Sequence, residues 1–267
     1  MNKELNFGEI VEEKKQPEHP VRALLVVPHN GRKLIAARDA FGSNSYLNNM
    51  QSMRQPYSYP NSWERISFEP LTTAESISVA AYEFSSRAKP AVFDPSWLQT
   101  GYVLRTNGGV WANPLDAQGR PIQDESVLKG MLKSCRKIGV KYGKHIYIGS
   151  RGFGFAEYGT FDLGEQSGKD FVNGGLARVL ENTSEPVAEN LRTISDKSNY
   201  KLGVYVWAFE PVESPILRVA RLGSYWGVDG GRLYVVGYDW LVDDVGCAFG
   251  GLKTGEASAI KDTGDKQ

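Results

Sequence analysis

The sequence has almost no cysteine. Cys135 and Cys247 are the only two in 267 residues, too few for a disulfide framework; one bridge between them is the most that pairing allows. It has three histidines, His19, His29 and His145. None stands at metal-ligand spacing from a cysteine or from paired acids, so no metal site is expected. It has no apolar run of about eighteen residues, so no membrane insertion is expected. Residues 1–15 are charged and lack the apolar stretch of a secretory signal. Synthesis in the cytoplasm without export is therefore expected, with a cytoplasmic or virion-associated product. Neither sign of charge is in excess: 31 Lys and Arg balance 31 Asp and Glu, which removes a global pull toward nucleic acid or membrane. Catalytic signatures are missing too. No serine sits in a Gly-x-Ser-x-Gly elbow, and no Gly-Lys-Ser/Thr follows the glycines of Gly149–Gly154, which read as a hairpin turn rather than a phosphate loop. No enzyme activity and no cofactor are expected.

What is present is material for a core. Hydrophobic residues make up 41% of the chain and aromatics 11%, enough for one large domain or two smaller ones. Residues 1–20 read as a polar arm. Arg22–Val27 reads as a buried strand stopped by Pro28, Arg32–Asp39 as helical, and Gly42–Pro60 as a long loop or frayed helix. Thr72 and Glu75 have capping-box spacing, which predicts a helix over 73–87. Pro90 and Pro95 mark a boundary, followed by a short turn around Trp97. Asn107–Gly108 predicts a hairpin between Tyr102–Arg105 and Val110–Ala112. Asp124–Ile138 reads as one helix with Val127, Leu128, Met131, Leu132 and Cys135 on its buried stripe. His145–Ile148 and Phe153–Ala156 read as strands, Phe171–Leu180 and Val187–Ile194 as helices, and Leu202–Phe209 as the strongest strand. From Ile216 onward short strands and turns are expected, ending in a polar tail over 253–267.

The stretch Leu222–Gly251 has a vocabulary of its own. Of its thirty residues eight are Gly, six are aromatic and four are Asp, and Lys, Glu, Gln, Met and His are absent. Glycine lets the backbone turn where a side chain would clash. Tyr and Trp supply large contact area at little conformational cost. Leu233 and Val235 alternate with Tyr234 and Val236, the pattern of a strand with one inward face. Two readings stand side by side: a plain structural β-cap, and a surface that presents side chains to a ligand.

This stretch resembles the variable region of the diversity-generating retroelement variable proteins, which display variation on a C-type lectin fold. In that family adenine-directed mutagenesis acts mainly on Asn-type codons. These can become Tyr, Asp, Gly, Ser, Val, Leu or Cys, but not Lys, Glu, Gln, Met or Trp. The resemblance separates a frame (Leu222, Gly223, Ser224, Trp226, Arg232, Leu233, Val235, Gly237, Trp240, Gly246, Ala248, Phe249 and Gly250) from exchangeable positions between. The ligand-binding residues it implies are Tyr225, Val228, Asp229, Gly230, Tyr234, Val236, Tyr238, Asp239, Leu241, Val242, Asp244, Val245 and Cys247. It implies an α+β chain with a C-type-lectin-like domain over 91–252, preceded by a small α/β portion over 1–90 of unknown role. Its function would be binding an unknown macromolecule, protein before nucleic acid, without chemistry.

The rival surface is the segment Lys129–Arg151. It carries Lys129, Lys133, Arg136, Lys137, Lys141, Lys144 and Arg151 with no acid, interleaved with Tyr142, His145 and Tyr147. Such a segment is either a solvated face or a holder of phosphates with aromatics for bases. His29 and the Asp243–Asp244 pair read as turn residues before they read as catalytic ones.

Overall fold

The computed structural model describes residues 19–58, 65–86, 98–140, 143–150, 152–181, 185–197, 204–225, 232–237 and 246–252. The expected arm up to residue 18, the turn at Trp97 and the tail over 253–267 lie outside them. Within the described residues the chain is mixed α+β and mostly sheet.

The first hairpin shows turn residues overruling a helical reading. Arg32–Ala37 is a strand, β2, antiparallel to β1 (Leu24–His29) with His29 opposite Arg32. The intervening Asn30 and Gly31 have φ of 49° and 75°. Two successive positive values make the type I′ turn that matches strand twist, so the chain returns as a strand. The expected loop after Gly42 also orders. β3 (Phe41–Asn44) leads into α1 (Tyr46–Met53), whose N-cap Ser45 accepts from the Asn48 amide. Tyr46, Asn49, Met50 and Met53 are buried at helical spacing on one face. After β4 (Phe68–Pro70) comes the predicted helix α2 (Thr73–Ser86) with its predicted cap: Glu75 N donates to Thr72 Oγ1 at 3.3 Å, and Thr72 N to Glu75 Oε2 at 3.0 Å.

β5 (Leu98–Arg105) and β6 (Gly109–Ala112) form the expected hairpin. The single helix expected over 124–138 is corrected. α3 (Glu125–Met131), capped by Asp124, gives way to a 3-10 turn over Leu132–Ser134 and then to β7 (Arg136–Gly139). Ser134 and Gly139 are weak helix formers, and pairing with β8 (His145–Ile148) takes over. Val127, placed on the buried stripe by sequence, is 48% exposed, while Leu128 is fully buried. β9 (Gly154–Glu157) follows the expected turn, in which Gly149 N donates to Phe153 O. After β10 (Gly164–Gln166), the helix expected over 171–180 is two, α4 (Gly168–Asn173) and α5 (Gly175–Glu181). They are split at Gly174, whose backbone is extended. α6 (Glu185–Lys197) has Pro186 in its first turn, where a missing N–H costs nothing. β11 (Val204–Trp207) precedes β12, which is a long strand, Ile216–Tyr225, rather than a short one. β13 (Arg232–Val236), β14 (Gly246–Ala248) and β15 (Gly250–Leu252) close the described chain.

The main sheet runs β10-β11-β13-β12-β5-β6-β9-β8-β7, antiparallel along that path except where β11 lies parallel to β13; β14 joins it in parallel at β5 and pairs antiparallel with β3. A smaller sheet runs β1-β2-β15-β4. The boundary read near residue 90 falls within 87–97, outside the described residues, and strands from both sides of it share the smaller sheet.

Alternation along β5 sorts the core into two layers. Val103 joins Val110, Ala156, Val206, Leu222 and Val235 beneath α2, α4, α5 and α6. Tyr102 faces the other way into a cluster with Tyr46, Met50, Phe41 and Phe68, and Leu104 into one with Trp111, Phe155 and Leu128.

Candidate functional site

In the main sheet Val103, Val110, Ala156, Val206, Leu222 and Val235 lie on the side packed with α2, α4, α5 and α6. At the β11 end, the opposite face is the place where aromatic side chains come out. Along β11, Val204 and Val206 are 1% exposed, whereas Tyr205 is half-buried and Trp207 is 45% exposed. The parallel pairing sets Tyr205 beside Tyr234 and Trp207 beside Val236. The Tyr205 and Tyr234 rings lie 5.3 Å apart between centroids, at 48°, a separation typical of favourable aromatic pairs. On the far side of β13, Gly223 is opposite Tyr234 and Arg221 opposite Val236. Gly223 puts no side chain beside the Tyr234 ring on the β12 side. Glu165 of β10 pairs with Tyr205 and closes the row with an exposed acid. The result is a band of Trp207, Tyr205 and Tyr234 standing on a sheet whose other face is fully packed.

The residues assigned to binding from sequence distribute unevenly over this site. Tyr234 is on it. Tyr225 ends β12 opposite Arg232. Cys247 is half-buried in β14, opposite Leu98, and has no disulfide partner. Val236 is not outward: it is 1% exposed. It sits between the Trp207 and Arg221 positions of its neighbours, and Arg221 is itself only 2% exposed. The sheet is therefore covered on both faces at that point, and simple alternation fails there. Val228, Asp229, Gly230, Tyr238, Asp239, Leu241, Val242, Asp244 and Val245 lie outside the described residues, as do Trp226, Trp240 and the Asp243–Asp244 pair.

The frame positions behave differently. Leu222, Val235, Ala248 and Phe249 are at most 2% exposed, and Gly223, Gly237, Gly246 and Gly250 are buried. Three of those glycines have no room for a side chain. A Cβ on Gly237 would meet the Phe209 ring at 2.5–2.8 Å, one on Gly246 the Gln99 side chain at 2.9 Å, and one on Gly250 the Phe68 Cβ at 2.7 Å. Sequence reasoning passes over Tyr205 and Trp207, although the strict alternation of Val204 and Val206 with two aromatics carries the signal of an outward aromatic face.

The other candidates resolve as follows. His29 is 5% exposed, with Nδ1 at 2.9 Å from Ser78 Oγ and Nε2 at 3.2 Å from Asn30 Nδ2; Asn190 also donates to Ser78 Oγ. Burial lowers the His29 pKa, partly opposed by Glu75. The ring ties β1 to α2 and α6. His145 lies beside Glu157, its backbone amide donating to the carboxylate at 3.0 Å. A broad groove of about 1420 Å³ runs past Arg54, Thr100, Asn113, Asp116, Cys135 and Ser150. Its lining includes the carboxylates of Glu69, Glu75 and Asp116 but no histidine or lysine, and burial pushes the Cys135 thiol up, away from thiolate. Among the described residues no group of three or more His, Cys, Asp or Glu is placed to hold a metal, and no helix is long and apolar enough to cross a membrane. In comparison with known proteins, no family model, no curated protein and no solved structure matches the chain.

Proposed function

We propose that this protein binds a macromolecular ligand, in the first place a protein, through a surface whose C-terminal part over 221–251 is diversified by a retroelement. Residues 91–252 would form the C-type-lectin-like domain that carries it. The observation that carries this reading is the division of 221–251 by burial. Described frame positions are packed, and three of their glycines have no space for a Cβ. Of the exchangeable positions whose burial is described, Tyr234 and Cys247 are half-exposed, and Val236 is packed and would accept only residues that fit its site. A region can vary without unfolding only if variation is kept off the packed positions. Beside the variable positions, Tyr205 and Trp207 supply rigid aromatic area of the kind enriched at binding hot spots. The ordered strands beneath lose little entropy on association. No chemistry is required of such a surface.

The test is deep sequencing of codons 221–252 in the native population. Substitutions concentrated at adenines, with Gly237, Gly246, Gly250, Trp226 and Trp240 fixed and a near-copy template close by, are expected. An unvarying stretch with no template copy overturns the proposal and leaves a structural β-cap.

A further inference from the structure

At the opposite end of the main sheet from the aromatic band, the basic segment that sequence left open takes a definite shape. β7 is the last strand, and the β7–β8 hairpin carries Lys137 opposite Tyr147. The Lys137 ammonium sits 5.8 Å from the centre of the half-buried Tyr147 ring. His145, two residues along, shares that face, its ring 6.4 Å from that of Tyr147. Arg136 and Lys137 are exposed on the strand, Lys133 on the 3-10 turn that leads into it, and Lys144 just before β8. Lys129 is paired with Glu125, and His145 with Glu157. Lys133, Arg136, Lys137 and Lys144 have no ion-pair partner among the described residues.

We infer that this end of the sheet binds single-stranded nucleic acid, with Tyr147 as the platform for a base and Lys133, Arg136, Lys137 and Lys144 along the phosphates. Cations on an edge strand also guard against edge-to-edge pairing. That role needs neither a half-buried ring on the same face, packed against Phe155, nor cations continuing into the preceding turn and the start of β8. A duplex fits less well, because its bases are already stacked on one another and cannot lie on the Tyr147 ring. A flexible strand can bring one base onto Tyr147 while its backbone follows the cations. Sequence tolerance is expected, since stacking is available to every base.

The experiment is fluorescence anisotropy of the full chain with a fluorescein-labelled oligouridylate of about twelve nucleotides. Four phosphate contacts predict a slope of log affinity against log salt of about −3. Lys137→Glu with Arg136→Glu should weaken binding and flatten the slope. Tyr147→Leu should weaken it about tenfold with the slope unchanged, and Tyr147→Phe should restore it. Photo-crosslinking of a 5-iodouridine oligomer to the unaltered chain should map to Tyr147, which tests the platform even if the leucine variant is poorly folded. No binding at low salt overturns the inference. So does tighter binding of duplex, equal binding of heparin with no effect at Tyr147, retention on phosphatidylserine vesicles in place of the oligomer, or a crosslink mapped elsewhere.

Discussion

The side-chain amide of Asn49 donates to the backbone carbonyl of Gly246 at 2.8 Å, across 197 positions of sequence. The same nitrogen is 2.8 Å from Gln99 Oε1 and 3.2 Å from Asn44 O. Asn49 is fully buried and Gln99 nearly so. One polar group therefore pins α1, β3, β5 and β14 together where the N-terminal and C-terminal parts of the chain meet. Low local dielectric makes such a buried network costly to break, and it holds through the Asn49 amide nitrogen alone, since among the described residues Oδ1 has no hydrogen-bond partner.

Asn49→Ala removes the donor and leaves the Gly246 carbonyl buried without it. A loss of about 2 kcal/mol is expected, read as a fall in Tm of about 4–8 °C. Asn49→Asp should cost more, because a carboxylate would face the Gly246 and Asn44 carbonyls. An unchanged melt for both would show that the amide is not a structural joint.

Gly237→Ala drives a Cβ into the buried Phe209 ring and should cost about 1–3 kcal/mol. Val206→Ala should cost about 2 kcal/mol, from lost burial plus a cavity. Trp207→Ala, one residue further and 45% exposed, should cost about 1 kcal/mol or less. Denaturant titration of the three variants checks the order. A Trp207 variant as unstable as the Gly237 variant would make Trp207 a packing residue rather than a presented one.

Ala208 has φ of 62°, and its carbonyl accepts from the buried Arg105 guanidinium at 2.9 Å. A left-handed alanine carries steric strain that glycine lacks. Ala208→Gly should therefore stabilise the fold by up to about 1 kcal/mol, net of the added freedom of the unfolded chain. Urea midpoints measure it; a destabilised variant would mean that the methyl group itself is needed.

Stability should fall on mild acidification because of His29. With Nε2 accepting from Asn30, the neutral ring's proton is on Nδ1, toward Ser78 Oγ. Burial lowers its folded pKa below 6.5, Glu75 opposes this, and Arg32 adds to it. The unfolded chain thus takes up the proton first. The contribution is complete above pH 6.5 and is lost as pH falls from there toward the folded value. Tm measured between neutral and mildly acidic pH should decline less in His29→Gln than in the unaltered protein. Parallel profiles would assign the acid sensitivity to other groups.

Much of the fold is legible in the residues themselves. The Thr72–Glu75 cap, the β5–β6 hairpin and the strands on either side of Gly149–Phe153 follow from local chemistry. The misreadings share a cause, which is that partners distant in sequence decide. Arg32–Ala37 has enough charged and aliphatic residues to pass for helix until Asn30–Gly31 commits it to a hairpin. Arg136–Gly139 continues a helical pattern until β8 claims it. At the site, Tyr234 was legible from alternation. Val236 was not, because its burial depends on the cover above β11 and β12. Tyr205 and Trp207 joined the site only once the parallel pairing of β11 with β13 put two separated segments side by side.

β15 is inserted between β2 and β4, and β14 between β3 and β5, so the fold closes with residues at the C-terminal end of 221–251 and with Leu252. A message that shifts frame or stops before Gly246 yields a chain lacking both inserts, with no β15 to pair with β2 and β4 and no Gly246 carbonyl for Asn49. If 221–251 varies as proposed, closure would check the reading frame, because only copies read intact through that stretch carry the two closing strands.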